Sequence, residues 1–586
     1  MTDREPYLAL RGFQVWFQKR RGFLEALRRS DPGNIRAVDG IDVTIGKGEI
    51  YCLVGESGCG KTTTGKGILR LVEPTGGDVF LNPTPAELAD YEHARDSADK
   101  TTFDAFRARR SLIYKETVHR KPLDYVRHLV LAAAGALVGI LVAFGIILGL
   151  RAVGVGAAEP LAYAVLGAVV GSAGTIPWVK MSRRVPLALG LATIPASVVA
   201  QVLSVGAAQG AAGAPTDLAS VLGAYAVLLQ NPTLFLALVE ALLAIGAAWY
   251  AADVFSRFWD RRHGVVTDRL RALRTKLQII FQDPYESLNP RHTVYDIVAE
   301  PLVVNHITRS RAETEARVQQ ALDDAGLRPP KDYILRYPHE MSGGQRQRVS
   351  IAGALVLEPE FLVADEPVSM LDVSIRTEII ELLLNLRQKR GLTYLFITHD
   401  LSLAWVMADR IGVMYLGKIV EEGPTEELIA HPRHPYTNAL ISVVPMPDPD
   451  RRHERMILKG ERPDPSDIPP GCRFHPRCPV AFERCGWTSD EVLDALRGIA
   501  KGEALTHLES AAPQGRNTIV WAHAPPDFEA WLRELIAAKA EEHRALKAIQ
   551  SVERVGGGAK VVLHAFEEPT LKTVAPGVQV SCHLFP

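Results

Sequence analysis

Cysteine is scarce in this chain, six among 586 residues, which excludes a disulfide-stapled scaffold and makes the clustering of those cysteines more informative than their number. Net charge is nearly absent. With 67 acidic residues against 66 Lys and Arg, the formal charge is −1, so the chain as a whole offers no electrostatic reason for a nucleic acid to bind. Partners must be read locally. The opening residues MTDREPYLAL lack the apolar core of a secretory signal, so residues 1–128 are expected on the cytoplasmic side. The length allows several units of ordinary domain size.

Another shortage is local. Between residues 129 and 255 charge is almost confined to short breaks, and Ala, Leu, Val and Gly take over. Four runs, 129–150, 161–179, 186–207 and 233–255, each have about the 20 residues that a helix needs to cross a bilayer core. Arg107, Arg109, Arg110, Arg120, Lys121 and Arg127 precede the first run, Lys180, Arg183 and Arg184 join the second to the third, and Arg257, Arg261 and Arg262 follow the fourth. The other two connections hold only Arg151 and no Lys as basic residues, so the Lys- and Arg-rich ones are the inside loops by the positive-inside rule. An even number of spans returns the chain to the side it left. The stretch 218–230 is apolar but short and reads as interfacial or re-entrant. The competing reading is an Ala-rich buried bundle in a soluble domain, and the matched charge bias argues against it. Glu240 is the nearest thing to an ionisable residue well inside a span, which favours an anchor or permease contact over an ion path.

The chemistry-bearing motifs lie on either side of these runs. YCLVGESGCGKTTTGKGIL places an apolar strand before Gly55 and a helix after Lys61, the context that gives G-x-x-x-x-G-K-[ST] its meaning. The backbone of Gly55, Glu56, Ser57, Gly58, Cys59, Gly60, Lys61, Thr62 and Thr63 can wrap phosphates, with Lys61 neutralising the β and γ groups and Thr62 holding Mg2+. FLVADEP reads as a buried strand ending in two carboxylates, Asp365 for Mg2+ and Glu366 for polarising a water. MSGGQRQRVSIAGAL precedes it and ITHD follows it.

In that order the set resembles the nucleotide-binding subunit of ATP-binding cassette (ABC) transporters. The resemblance implies that Ser342, Gly343, Gly344 and Gln345 form the signature presented to the γ-phosphate of a partner subunit, so that an active site needs two subunits. It also implies that Gln282 senses Mg2+ and water, that Asp372 sits in the D-loop, and that His399 contacts the γ-phosphate. An aromatic from QVWFQ, Phe17 or Trp16, would stack on adenine, with core packing an equal alternative. DPYESLNPRHTVYDIVAEPL, RYPHEMSGGQRQR, HPRHPYTNALISVVP and PPGCRFHPRCPVAFERC are similar to the ATPases of oligopeptide, dipeptide and nickel importers, and GESGCGKTTTGK looks more like the F-type than the D-type of their paired ATPases. The matching stretches, 7–83, 273–486 and 566–586, cover about half the chain. Gly353 departs from the pattern by standing where the resemblance leads one to expect Arg.

Cys472, Cys478 and Cys485 are separated by five and six residues in a loop rich in Pro and His, a spacing that suits a metal better than a disulfide. The resemblance implies a fourth ligand, Cys582 in VSCHLFP, and a [4Fe-4S] cluster, with Zn2+ the alternative. Cys52 and Cys59 read as packing and turn residues.

The expected fold is α/β: an ABC-type P-loop ATPase with a RecA-like core, an antiparallel β subdomain and a helical subdomain, carrying an all-α four-span insertion and a small α/β insertion. The expected divisions are 1–84 for the first part of the nucleotide-binding domain, 85–272 for the membrane insertion, and 273–430 for the rest of that domain. They continue with 431–486 for the importer-type region with the cysteines, 487–566 for the small insertion and 567–586 for the closing segment. The expected function is ATP hydrolysis energising an importer of peptides or related solutes, at the cell membrane, multi-pass with the ATPase on the cytoplasmic side. Its implied partners are a second ATPase subunit of the D-type or a second copy, two permease subunits and an extracytoplasmic solute-binding protein, with no nucleic acid. The rivals are an exporter half-transporter using its own spans and a non-transport sensor ATPase.

Overall fold

The computed structural model describes residues 4–19, 34–96, 103, 107, 111, 273–444, 455–500 and 508–585. These belong to one compact unit, built from Met1–Lys115 together with Arg271–Pro586. The four apolar runs at 129–150, 161–179, 186–207 and 233–255 lie outside the described residues. Among the described residues no helix is long and apolar enough to cross a membrane.

Parallel strands buried on both faces need continuous apolar runs, and this chain has three of them side by side. IYCLV forms β3 (Ile50–Val54), FLVAD forms β6 (Phe361–Asp365) and TYLFIT forms β7 (Thr393–Thr398), with every residue buried. Fully enclosing Phe361 and Phe396 is worth about 1.5–3 kcal/mol each. With β5 (Leu277–Ile280), β8 (Arg410–Tyr415), β9 (Lys418–Pro424), β14 (Lys572–Ala575) and β15 (Val578–Val580) they make an eight-stranded sheet in the order β14-β15-β9-β8-β3-β7-β6-β5. A second, antiparallel sheet places β1 (Pro6–Gln18) between β2 (Asn34–Gly46) and β4 (Gly76–Leu81).

Register sets the ends of the strands level. Val54 pairs with Thr398 and Asp365 with Ile397, so the residues after β3, β6 and β7 emerge at one edge of the sheet. From there Gly55 opens a loop into α1 (Lys61–Ile68). Helix α2 (Pro85–Asp96) packs its Tyr91 against Phe80, ring centres 5.1 Å apart, so the start of the charged stretch after β4 is part of the folded body.

Three helices, α3 (Val294–Val304), α4 (Arg311–Asp324) and α5 (Gly343–Leu355), pack on one another beyond β5. Each starts at a side-chain cap, Thr293, Ser310 and Ser342 respectively, which satisfies backbone N–H groups that the first turn leaves open. Helix α5 runs through Gly353 without a break, and a Cβ there would meet nothing within 4 Å. Helix α6 (Val373–Arg390) and α7 (Leu401–Met407) follow β6 and β7.

After α8 (Pro435–Ser442) and the cysteine loop comes a second small sheet, β10 (Ala511–Pro513), β11 (Thr518–Trp521), β12 (Ile549–Val555) and β13 (Gly558–Leu563), in the order β10-β11-β13-β12. It carries α9 (Ser489–Ile499) and α10 (Phe528–Lys539), with the rings of Trp521 and Phe528 packed at 4.9 Å, tilted by 55°, in its core. The helical spacing of DFEAWLRELIAAKAEEHRALKAIQ suggests one longer helix, but α10 stops at Lys539 and Ile549 opens β12. Between them Arg544–Ala548 form a short 3-10 turn, and the two-glycine turn at Gly556 and Gly557 folds β12 back on β13 with Val555 opposite Gly558.

Candidate active site

The loop between β3 and α1 turns so tightly that two of its glycines have no room for a side chain. Gly55 has φ +156° and Gly60 φ +113°, and a Cβ would lie 2.2 Å from the Met414 carbonyl or 2.1 Å from the Ala37 carbonyl. The loop encloses Lys61, which is buried; its Nζ donates to the Gly55 carbonyl at 2.7 Å and the Glu56 carbonyl at 3.1 Å and lies 3.9 Å from Cys59 Sγ. A buried ammonium held only by loop carbonyls and a sulfur is ready to transfer to an anion.

Thr62 Oγ1 donates to Asp365 Oδ1 at 2.8 Å, joining the start of α1 to the end of β6. Burial raises the Asp365 carboxyl above its ordinary value; the hydrogen bond from Thr62 and the charges of Lys66 and Lys61 oppose that shift, and the neighbouring Glu366 adds to it. Glu366 adopts φ +45°, a left-handed conformation that costs a non-glycine residue about 1–2 kcal/mol. That turn sets its carboxylate between two partners. Gln282 Nε2 donates to Glu366 Oε2 at 3.1 Å, and His399 Nδ1 lies 3.1 Å from the same oxygen.

The signature residues are not part of this cluster. Ser342 and Gln345 bond to each other in a capping box, Ser342 Oγ accepting from Gln345 N–H and Gln345 Oε1 accepting from Ser342 N–H, with Ser342 exposed at the N-terminus of α5. Gly343 and Gly344 form the first turn of that helix, against Leu371 and Ile375. Asp372 is exposed at the N-terminus of α6. Phe17 is 40% exposed near the end of β1. Trp16 is already engaged: its Nε1 donates to Asp39 at 3.0 Å and the Arg36 guanidinium lies 4.9 Å over its ring.

The cysteines of the C-terminal region are gathered by the sheet. Strand β15 pairs with β9, Val580 opposite Glu421, and this brings Cys582 to a small cavity that Cys472, Cys478 and Cys485 also line. All six cysteines of the chain are free thiols. Burial pushes Cys472 and Cys478 up to about 12 and Cys485 up to about 11, and raises Cys582. His434 lines the same cavity and is fully enclosed; its Nδ1 accepts from Tyr436 N–H at 3.0 Å while its Nε2 has no partner. Among the described residues, no three His, Cys, Asp or Glu side chains stand in an arrangement that would hold a single metal ion. Cys52 and Cys59 are buried away from this loop, in β3 and the phosphate loop.

Several contacts were not legible from the motifs. Tyr436 Oη accepts the Glu56 N–H at 2.9 Å, and Arg477 and Arg473 reach from the cysteine loop toward the phosphate loop. The nearest sequence signal was the arginine beside each of Cys472 and Cys478, which spacing alone does not connect to a site hundreds of residues away.

Comparison with known proteins adds the following. The family described as ABC transporter matches residues 38–135 and 253–369, and the family described as oligopeptide/dipeptide transporter, C-terminal region, matches residues 420–485. A putative peptide import ATP-binding protein of Brucella ovis is 49% identical over 229 residues, 39% of this chain and 71% of that protein. A putative oligopeptide transport ATP-binding protein of Bacillus subtilis is 51% identical over 217 residues, 37% of this chain and 65% of its own length. The oligopeptide transport ATP-binding protein OppF of Escherichia coli is 49% identical over 227 residues, 38% of this chain and 67% of its own length.

Proposed function

Because this chain belongs to the ABC transporter family, among the ATP-binding proteins of its peptide-import branch, we propose that it binds and hydrolyses ATP to energise the import of peptides or related small solutes. The observation that supports this best is the convergence of Lys61, the Thr62–Asp365 pair and the Gln282–Glu366–His399 cluster at the ends of four neighbouring parallel strands, β3, β7, β6 and β5.

The backbone amides from Gly55 to Thr63 wrap the β and γ phosphates, and Lys61 exchanges its loop carbonyls for phosphate oxygens. Thr62, Asp365 and Gln282 would hold Mg2+, whose charge would offset that of the phosphates. Glu366, fixed by Gln282 and His399, accepts a proton from the water aimed at the γ-phosphate. His399 also contacts that phosphate, and exposed Phe17 is free to stack on adenine. Ser342, Gly343, Gly344, Gln345 and Asp372 stand at exposed helix N-termini, suited to completing the site of a second ATP-binding subunit, a D-type partner or another copy. Two permease subunits and an extracytoplasmic solute-binding protein complete the assembly.

Four spans between residues 129 and 255 anchor the chain in the cell membrane, on the support of their apolar length and the basic residues that flank them. Cys472, Cys478, Cys485 and Cys582 would together hold a [4Fe-4S] cluster. Three buried thiols and the half-buried Cys582 on one cavity, with the unpartnered His434 Nε2 on its wall, fit such a group. Bound there, it would cross-link the two ends of the C-terminal region, around the α/β module between Cys485 and Cys582.

The direct test is phosphate release from ATP by the purified full-length chain. Lys61→Ala should abolish it, and an unchanged rate in that variant would refute the assignment.

A further inference from the structure

The loop that carries three of the cysteines also carries two arginines that leave its cavity and reach the phosphate loop. Arg477, immediately before Cys478, forks onto Glu56: Nη1 donates to Oε2 at 2.8 Å and Nη2 donates to Oε1 at 3.0 Å. Glu56 is the second residue of the phosphate loop, and its backbone is held on both sides. Its N–H donates to Tyr436 Oη at 2.9 Å and its carbonyl accepts from Lys61 Nζ at 3.1 Å. Arg473, immediately after Cys472 and 6% exposed, donates to the Leu416 carbonyl and to Asp39. The next residue, Gly417, donates its N–H to the Cys59 carbonyl at 2.8 Å. Two separate bridges therefore run from the cysteine loop to opposite ends of the phosphate loop.

The Arg477 fork solves an electrostatic problem. A loop built to attract phosphates contains a carboxylate, and an uncompensated negative charge one residue after Gly55 would repel the anion that the amides and Lys61 draw in. A bidentate guanidinium cancels that charge and fixes its direction at once, which a single point charge does less well.

We propose that Arg477 is a positioning residue of the ATP site, which neutralises Glu56 and holds the phosphate loop open to polyphosphate, making the cysteine loop a brace for nucleotide binding. This rests on reading residues 55–63 as an ATP site. The two ideas separate in one experiment: equilibrium binding of ATP without Mg2+, so that no turnover intervenes, to the full-length chain at low and high salt.

Arg477→Gln should weaken ATP binding about tenfold or more at low salt and less at high salt, because Glu56 is only half-buried and salt screens part of its repulsion. Adding Glu56→Gln to that variant should restore most of the affinity, and Arg477→Lys should fall between. Thermal melting of each variant reports whether the fold is kept. If Arg477→Gln does not fold, Glu56→Gln alone decides, and it should bind ATP at least as tightly as the unaltered chain. Binding by Arg477→Gln within twofold of the unaltered chain, no rescue in the double variant, or weaker binding by Glu56→Gln alone would each overturn the proposal. Failure of the unaltered chain to bind ATP, with Lys61→Ala no different, would overturn the ATP-site reading and the proposal with it.

Discussion

Replacing Glu366 by Gln separates the two jobs of the site. In the structure Glu366 Oε2 is 3.1 Å from both Gln282 Nε2 and His399 Nδ1, so the carboxylate is oriented from two sides and needs only a water to act on. Glutamine keeps the length and shape and still offers an oxygen to Gln282, but it cannot accept a proton. Loss of a positioned general base removes about 10²–10⁴-fold of rate, equivalent to about 3–5 kcal/mol of barrier. Binding should move the other way. The Glu366 charge is one of the causes that raise Asp365 above its ordinary range, so removing it leaves Asp365 more readily ionised for Mg2+. The assay is phosphate release measured beside equilibrium binding of MgATP. The expected result is retained or tighter binding with turnover down at least a hundredfold. Turnover within a few-fold of the unaltered chain, or loss of binding in parallel with turnover, would refute the role given to Glu366.

Three other outcomes are expected. Gly353→Ala should raise stability by about 1 kcal/mol, because α5 is continuous through that position and a Cβ meets nothing within 4 Å; a lower melting temperature would contradict this. Asp39→Asn should destabilise the chain at neutral pH. Burial alone would raise the Asp39 carboxyl, but Arg473, with Lys418 and Arg36, brings it below its ordinary value, so its stabilising share exists above the unfolded value of about 4 and is lost as pH falls through the folded one. The gap between variant and unaltered chain should therefore close below about pH 4, and a gap that widens in acid would contradict the pairing. Cys582→Ser should reduce iron and acid-labile sulfide together in the anaerobically purified chain, and unchanged contents of both would remove Cys582 from the ligand set.

How much of this was readable beforehand follows from how local each feature is. The phosphate loop, the FLVADEP strand and the signature are short stretches in which residue type is dictated by backbone geometry, as at Gly55 and Gly60 where a Cβ would strike a carbonyl. The convergence of the first two is one step further, because it depends on β3, β6 and β7 being neighbours in register. Contacts between distant segments left no such trace. Arg477 meets Glu56 across 421 residues and Tyr436 meets it across 380, and nothing in the periodicity of either segment points to the other. Periodicity also misled at residues 527–550, where apolar residues at helical spacing run on past Lys539 but the chain forms a 3-10 turn at Arg544–Ala548 and then pairs Ile549 opposite Leu563 in a strand. The pairing of β15 with β9, which delivers Cys582, comes after the separate β10–β13 sheet in the chain and could be anticipated only through the family's cysteine pattern.

The measurement closest to the central claim is identification by mass spectrometry of the chains that copurify with the tagged protein from its native membranes in mild detergent. The account predicts two permease-type subunits and a second ATP-binding subunit. Recovery of this chain as a homodimer with no permease would contradict it, and would make the apolar runs between residues 129 and 255 its membrane partner instead.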